Sequence, residues 1–400
     1  MLEYPSIILL DESRRWALAT DGTSPNRWPP SIGNLREFKP GALEAPVAIP
    51  IVEFSLFTDA RVIGEAHFGP YAFLNTGAFR DDGAVRAAIV LRYAIYGDES
   101  GPGPRRYDKS DAELYHGGYA QDELAALASL ILGIRLRAGP VSREFQVKGD
   151  PLGRPTELWN EGMPYFRAPR RYVIPTTATG EHYLEGLVRI DELKDLSQRK
   201  AIAVIRSARM YQEALWVAES EPAMTWLLLV SALETAANEW QRSNGDPVER
   251  LQESKPELYA YLSDLPDDSI LKTVAQGVAD SLGITKKFVG FVLAFLPDPP
   301  SQRPTEGFQF PWNEQNWAKA LKTIYRYRSQ ALHDGVPFPA PMCSPPTKLP
   351  DLPAIAEIPT ALAHSEKGAT WIRADMPIYL HVFEYVARNV LLKWWPSLAR

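Results

Sequence analysis

Four hundred residues at 45% hydrophobic and 23% charged content fit a globular chain of two or three domains, long enough to bury a sizeable core. A net charge of -6 excludes a broad basic field, so any nucleic-acid surface has to be local. Cys343 is the one cysteine, which excludes an intramolecular disulfide framework and a multi-cysteine zinc site.

The first 150 residues read as a mixed, β-rich domain. Ser6–Leu10, Arg15–Thr20, Val47–Phe57, Arg61–Phe68 and Ala84–Tyr96 are rich in β-branched and aromatic residues, with Asp21-Gly22 and Asp81-Asp82-Gly83 as turns between them. Phe54–Phe57 followed by Thr58-Asp59-Ala60 predicts a hairpin or meander. One helix stands out over Gln121–Leu132, with Leu124, Leu127, Leu130 and Ile131 on one face. Before it, Asp98–Gly118 is a long loop dense in Gly, Pro and charge, the kind of segment that carries function or is simply an exposed insertion.

From 151 to 185 prolines and glycines predict a connection between domains. Its basic cluster Arg167, Arg170 and Arg171 reads as a solvated surface run, with a phosphate contact as the sharper alternative. Residues 186–400 read as a helical bundle. Asp191–Glu219 predicts one long amphipathic helix with Leu196, Ile202, Ile205 and Leu215 inward. Pro222 restarts the chain in a first turn, and Trp226–Val230 predicts the buried centre of the bundle. Glu234 lies in that apolar setting, where a carboxylate needs a partner. It is either the mate of an arginine on another helix or part of a site, and Asn238 follows one turn on. Shorter helices are predicted over 248–263, 269–282 and 285–296; the Lys286-Lys287 pair opening the last is unremarkable by sequence. Val336–Pro353 is proline-dense and predicts an extended strap, and Pro377–Trp394 predicts a closing helix.

Several chemistries lack their motifs. There is no phosphate-binding G-x-x-x-x-G-K-[ST] loop, no G-x-G-x-x-G fingerprint and no G-x-S-x-G elbow. His67, His116, His182, His364 and His381 are scattered without ligand spacing, so neither a metal nor a cofactor is expected. The start of the chain shows no secretory pattern and the apolar runs are too short to span a bilayer, which predicts a cytoplasmic protein with no membrane partner.

The stretch with chemical promise runs from Tyr325 to Gly335. Asn313 predicts a helix N-cap, Trp317, Leu321 and Ile324 form an apolar face, and Asp334-Gly335 predicts the stop. Arg328 falls in the last turns and His333 at the end, where the terminal carbonyls favour a cation. Arginine offers a planar fork of donors to phosphate oxygens, and histidine can move a proton. On an ideal helix the two lie about 140° apart, so one rigid helix does not bring them together. Arg326 and His333 lie within about 20° of each other but two turns apart.

Arg328-Ser329-Gln330-Ala331-Leu332-His333 resembles the R-x4-6-H motif of the HEPN superfamily, and its surroundings resemble the Apea-like branch of prokaryotic defence proteins. The resemblance covers the C-terminal half and implies a HEPN-like bundle at 186–400; with the β-rich domain read at 1–150, an α+β chain is expected, in which by analogy the first domain senses a phage or cellular trigger. It implies a metal-independent endoribonuclease acting on RNA as a homodimer, with Arg328 and His333 as the catalytic pair. Arg326 also satisfies the motif spacing, so the identity of the arginine stays open. Tyr325, Glu234, Asn238 and Ser329 are the supporting residues; Ser329 stands where active ribonucleases often carry Asn, Asp or His. The competing expectation is a non-catalytic HEPN-like module that binds a nucleotide, RNA or protein.

Overall fold

The computed structural model describes residues 28–39, 49–78, 83–96, 115–145, 150–156, 164, 166–244, 246–278, 283–349 and 355–399. The strands predicted over Ser6–Leu10 and Arg15–Thr20, and most of the Asp98–Gly118 loop, lie outside them. A sheet region comes first and a helical region follows, so the chain is α+β.

After a short helix α1 (Pro30–Glu37) come β1 (Ile51–Thr58), β2 (Arg61–Ile63), β3 (Ala66–Phe68), β4 (Tyr71–Asn75) and β5 (Arg86–Ala94). Helix α2 (Ala120–Leu132) separates these from β6 (Arg137–Phe145) and β7 (Arg154–Pro155). The sheet order is β3-β4-β5-β1-β6-β7, and every pairing is antiparallel. Leu56 pairs Ile89, Phe54 pairs Leu91 and Val52 pairs Tyr93, so alternate residues of β1 and β5 share one buried face. The turn predicted after Phe57 does not make a hairpin. At Asp59-Ala60 the chain leaves the sheet, and β2 pairs in parallel with β8 (Glu181–Tyr183). The strand predicted over Arg61–Phe68 is broken at Gly64, whose φ of 76° suits glycine. Helix α2 buries Leu124, Leu127 and Leu130, leaves Ile131 half-buried, and stops at the left-handed Gly133.

The composition shift at 151–185 marks a change of secondary structure and no break in the core. Val173 and Ile174 are buried, β8 lies in this stretch, and one contiguous apolar cluster runs from Ile32 to Leu398. The long helix predicted from Asp191 begins only at Gln198. Leu184–Asp195 instead forms a 3-10 run, followed by α3 (Gln198–Val217). The reason is a spacing of three: Leu184, Leu187, Ile190, Leu193 and Leu196 are all buried, and a 3-10 helix stacks residues i and i+3 on one side. Leu196 and Ser197 are extended, which separates the two elements.

Helix α4 (Pro222–Asn244) packs along α3. Three short helices follow: α5 (Pro247–Ser254), α6 (Pro256–Ser263) and α7 (Asp268–Val278). The predicted helix over 248–263 is thus two, cut at Lys255 because Pro256 excludes the helical conformation from the residue before it. These three surround their own small core of Leu251, Leu262 and Ala275. The main bundle resumes with α8 (Ile284–Ala294), α9 (Glu314–His333) and, after a hairpin of β9 (Ala363–Glu366) and β10 (Ala369–Ile372), α10 (Leu380–Ser397). The hairpin was not evident from sequence; Lys367 and Gly368 both take positive φ at its turn, where only the glycine is a turn signal.

The Asn313 side chain accepts from the Asn316 N–H at 2.9 Å, which satisfies one of the orphan donors opening α9. Asn313→Ala is expected to lower unfolding free energy by about 1 kcal/mol, read from a denaturant midpoint, with Asn313→Asp near wild type. The strap after α9 is more ordered than its prolines predict. Phe338 stacks on Trp226 at 5.4 Å, Ala340–Cys343 forms a 3-10 turn, and Met342 is buried.

Candidate functional site

Helices α4, α8 and α9 meet around a cleft of about 280 Å³ lined by Ser231, Glu234, Thr235 and Asn238 of α4, Lys287 and Phe288 of α8, and Arg328 of α9, with Met210 of α3 at its edge. Glu234 is its hub. Its Oε2 accepts from Arg328 Nη2 at 2.8 Å and its Oε1 accepts from the Tyr325 hydroxyl at 2.7 Å. The pair is largely sheltered, with side-chain exposures of 22% for Arg328 and 15% for Glu234, so water screens it less than a surface ion pair. Burial, and then the Glu234 carboxylate, hold the Tyr325 phenol well above its ordinary pKa, so it stays a donor to Glu234. The Arg328 guanidinium also lies 5.6 Å from the Tyr325 ring centre. Its Nε is buried with no acceptor among the described residues, so the fork is fixed on one side and unsatisfied there on another.

The other residues singled out from sequence lie elsewhere. Arg326 points away from the cleft, 3.3 Å from Asp375, and its guanidinium sits over the Tyr327 ring. Ser329 is half-buried and does not line the cleft. His333 is exposed and does not line it either. Helix α9 stays regular through His333, with the Asp334 N–H donating to Gln330 at 2.9 Å and Gly335 turning at a φ of 68°. Arg328 and His333 therefore keep the helical offset of about 140° and about 7.5 Å along the axis. One chain brings together Arg328, Glu234, Tyr325 and Asn238, and leaves His333 outside.

Lys287 was missed by sequence. Its Nζ donates to Asn238 Oδ1 at 2.9 Å, and the residue is only 6% exposed. The signal lies in its register: Ile284, Lys287, Phe288 and Phe291 stand at i, i+3, i+4 and i+7, so a lysine occupies the apolar stripe of α8. The neighbouring Lys286 is exposed.

Fold and site together define an α+β chain with an arginine–carboxylate cleft in its helical region. Compared with protein-family models, curated proteins and solved structures, the chain matches none. Among the described residues no helix is long and apolar enough to cross a membrane.

Proposed function

We propose that this chain is a HEPN-type metal-independent endoribonuclease, of the kind the motif suggests for prokaryotic defence, working as a homodimer with a site shared between two copies. The observation that carries this reading is an arginine held in an open cleft by a carboxylate, with an exposed histidine five residues further along the same helix. In the proposed reaction a ribose 2′-oxygen attacks the adjacent phosphorus, and the bond to the 5′-oxygen breaks. A 2′,3′-cyclic phosphate and a 5′-hydroxyl result. His333 moves the proton between the attacking and leaving oxygens, a role worth about 10²–10⁴ in rate. Arg328 offsets the charge that builds on the phosphoryl oxygens, and Glu234 sets the angle of its fork. The α9 geometry favours Arg328 over Arg326, because only Arg328 reaches the cleft. Leu332 and Val336 flank His333 and are 52% and 49% exposed, which suits a helix end that is covered by a second copy.

One observation favours a second reading, a binding module without chemistry: within one chain His333 stands away from the cleft. Incubating an RNA pool in EDTA with wild type, Arg328→Ala, Arg326→Ala and His333→Ala separates the two. The nuclease reading expects cyclic or 3′-phosphate ends from wild type, a loss of at least about 10² for Arg328→Ala and His333→Ala, and near-normal Arg326→Ala. Equal cleavage by all four would remove the site.

A further inference from the structure

Arg328 is paired in an unusual way for a sheltered arginine. A carboxylate meets a guanidinium best as two parallel N–H···O bonds, one to each oxygen. Two other sheltered arginines use both Nε and Nη2 in this way. Arg303 gives Nε to Glu357 Oε1 at 2.8 Å and Nη2 to Oε2 at 2.6 Å, and Arg135 gives Nε and Nη2 to Asp59 at 3.1 and 2.6 Å. Arg328 gives Glu234 only its Nη2, at 2.8 Å, and its buried Nε meets no acceptor among the described residues. The second carboxylate oxygen is held by a different donor: Glu234 Oε1 accepts from the Tyr325 hydroxyl at 2.7 Å. Tyr325 and Arg328 stand at i and i+3 on α9, so both reach the same carboxylate on α4. The Tyr325 ring is itself braced, 5.2 Å from the Phe288 ring of α8. Burial first, and then Glu234, raise its pKa, so the phenol stays a donor. A buried N–H left without an acceptor is costly, and an arrangement that maintains one asks for a reason.

We propose that Tyr325 is a positioning residue: by holding one oxygen of Glu234 it keeps the carboxylate from closing on Arg328, and so leaves the guanidinium able to take a phosphate oxygen of a single RNA strand in the cleft. Glu234 then anchors Arg328 through one nitrogen and does not occupy its whole donor edge. A guanidinium closed on both carboxylate oxygens, like that of Arg135 or Arg303, has its Nε and Nη2 already spent. Tyr325 acts only through Glu234 and meets no reacting atom. This assignment rests on reading the cleft as the seat of a phosphodiester, and does not require that the cut be made there.

The test removes the hydroxyl alone. Tyr325→Phe leaves a ring to pack on Phe288, and a crystal structure of the full chain is expected to show Glu234 closed on both Nε and Nη2 of Arg328. Binding of a 2′-O-methyl RNA oligonucleotide, which cannot be cleaved by 2′-oxygen attack, is followed by fluorescence anisotropy. Tyr325→Phe is expected to weaken it about tenfold or more, the loss of a charge-assisted contact. The thermal midpoint is expected to hold or rise, because the closed pair replaces the lost bond. Glu234→Gln offers a single acceptor oxygen and cannot close the fork, so in that background Tyr325→Phe is expected to change affinity by less than about twofold. A Tyr325→Phe structure with Nε still unpartnered, or wild-type affinity once the fork has closed, would overturn the proposal. So would a lowered midpoint with unchanged affinity, an equal loss of affinity in the Glu234→Gln background, or no oligonucleotide binding by wild type. Binding that needs the hydroxyl, with no cleavage in EDTA, sinks the nuclease reading and leaves this one standing. Cleavage indifferent to Tyr325→Phe does the reverse.

Discussion

Subunits carrying Arg328→Ala, mixed with an equal amount of subunits carrying His333→Ala and allowed to exchange, are expected to regain about a quarter of wild-type RNA cleavage, although each variant alone has lost at least about 10². The figure follows from two-fold symmetry. Half of the mixed population is heterodimer. In a heterodimer one of the two shared sites takes its arginine and its histidine from intact copies, while the other takes both from altered ones. The proposed reaction takes its second copy from the geometry of α9: Arg328 is tied to Glu234 in the cleft, and His333 lies exposed on a different side of an unbroken helix. A site complete within one chain gives no recovery on mixing, because every chain in the mixture lacks one of the two residues. The measurement is initial rate against mixing ratio, with far-UV circular dichroism establishing that both variants are folded. A recovery curve peaking at equal proportions supports the shared site, and a flat line at background overturns it.

The helix that carries the motif was readable because its signals are local. Asn313 at the cap, the stripe of Trp317, Leu321 and Ile324, and Asp334-Gly335 at the end each act within a turn or two, and α9 spans Glu314–His333 accordingly. The partnership of Glu234 with an arginine was also legible as one of two options, since a carboxylate in an apolar helix needs a counter-charge. Which arginine it takes was not, because that depends on the rotation of α4 against α9, and the cleft side of α9 presents Arg328 while Arg326 turns to Asp375. Lys287 was hidden for a related reason: a lysine beside another lysine reads as surface until the α8 stripe is aligned with Asn238. The 3-10 run before α3 shows a different limit. Its apolar residues repeat every third position, and that period was absorbed into an expected α-helix from Asp191. Long-range pairings were the least legible. The parallel bridge of β2 with β8 joins residues on either side of more than a hundred others, and no local signal sets it.

Breaking the ion cluster at Arg135 is expected to lower stability by about 3–5 kcal/mol for Arg135→Ala. Arg135 is fully buried just past α2. Its Nε and Nη2 donate to Asp59 at 3.1 and 2.6 Å, and its Nη1 lies 3.7 Å from Glu219 at the end of α3. Glu219 in turn accepts the Val173 N–H at 2.7 Å, and the Phe166 ring lies 4.3 Å from the guanidinium. Desolvation by burial raises the Glu219 pKa, with the Val173 N–H and Arg135 opposing it, so removing Arg135 leaves Asp59 and Glu219 sharing a buried site without their cation. The cluster gathers the turn where β1 leaves the sheet, the connection at 173 and the first bundle helix, and so it joins sheet to bundle. Asp59→Ala is expected to cost a comparable amount, because it strands the arginine instead. The double variant Arg135→Met/Asp59→Leu removes both charges and fills their volume, and is expected to recover most of the loss. Urea or guanidinium midpoints of the four proteins measure this directly. If Arg135→Ala and the double variant unfold at the same midpoint, the cost lies in lost packing around Phe166, and uncompensated charge is not its origin.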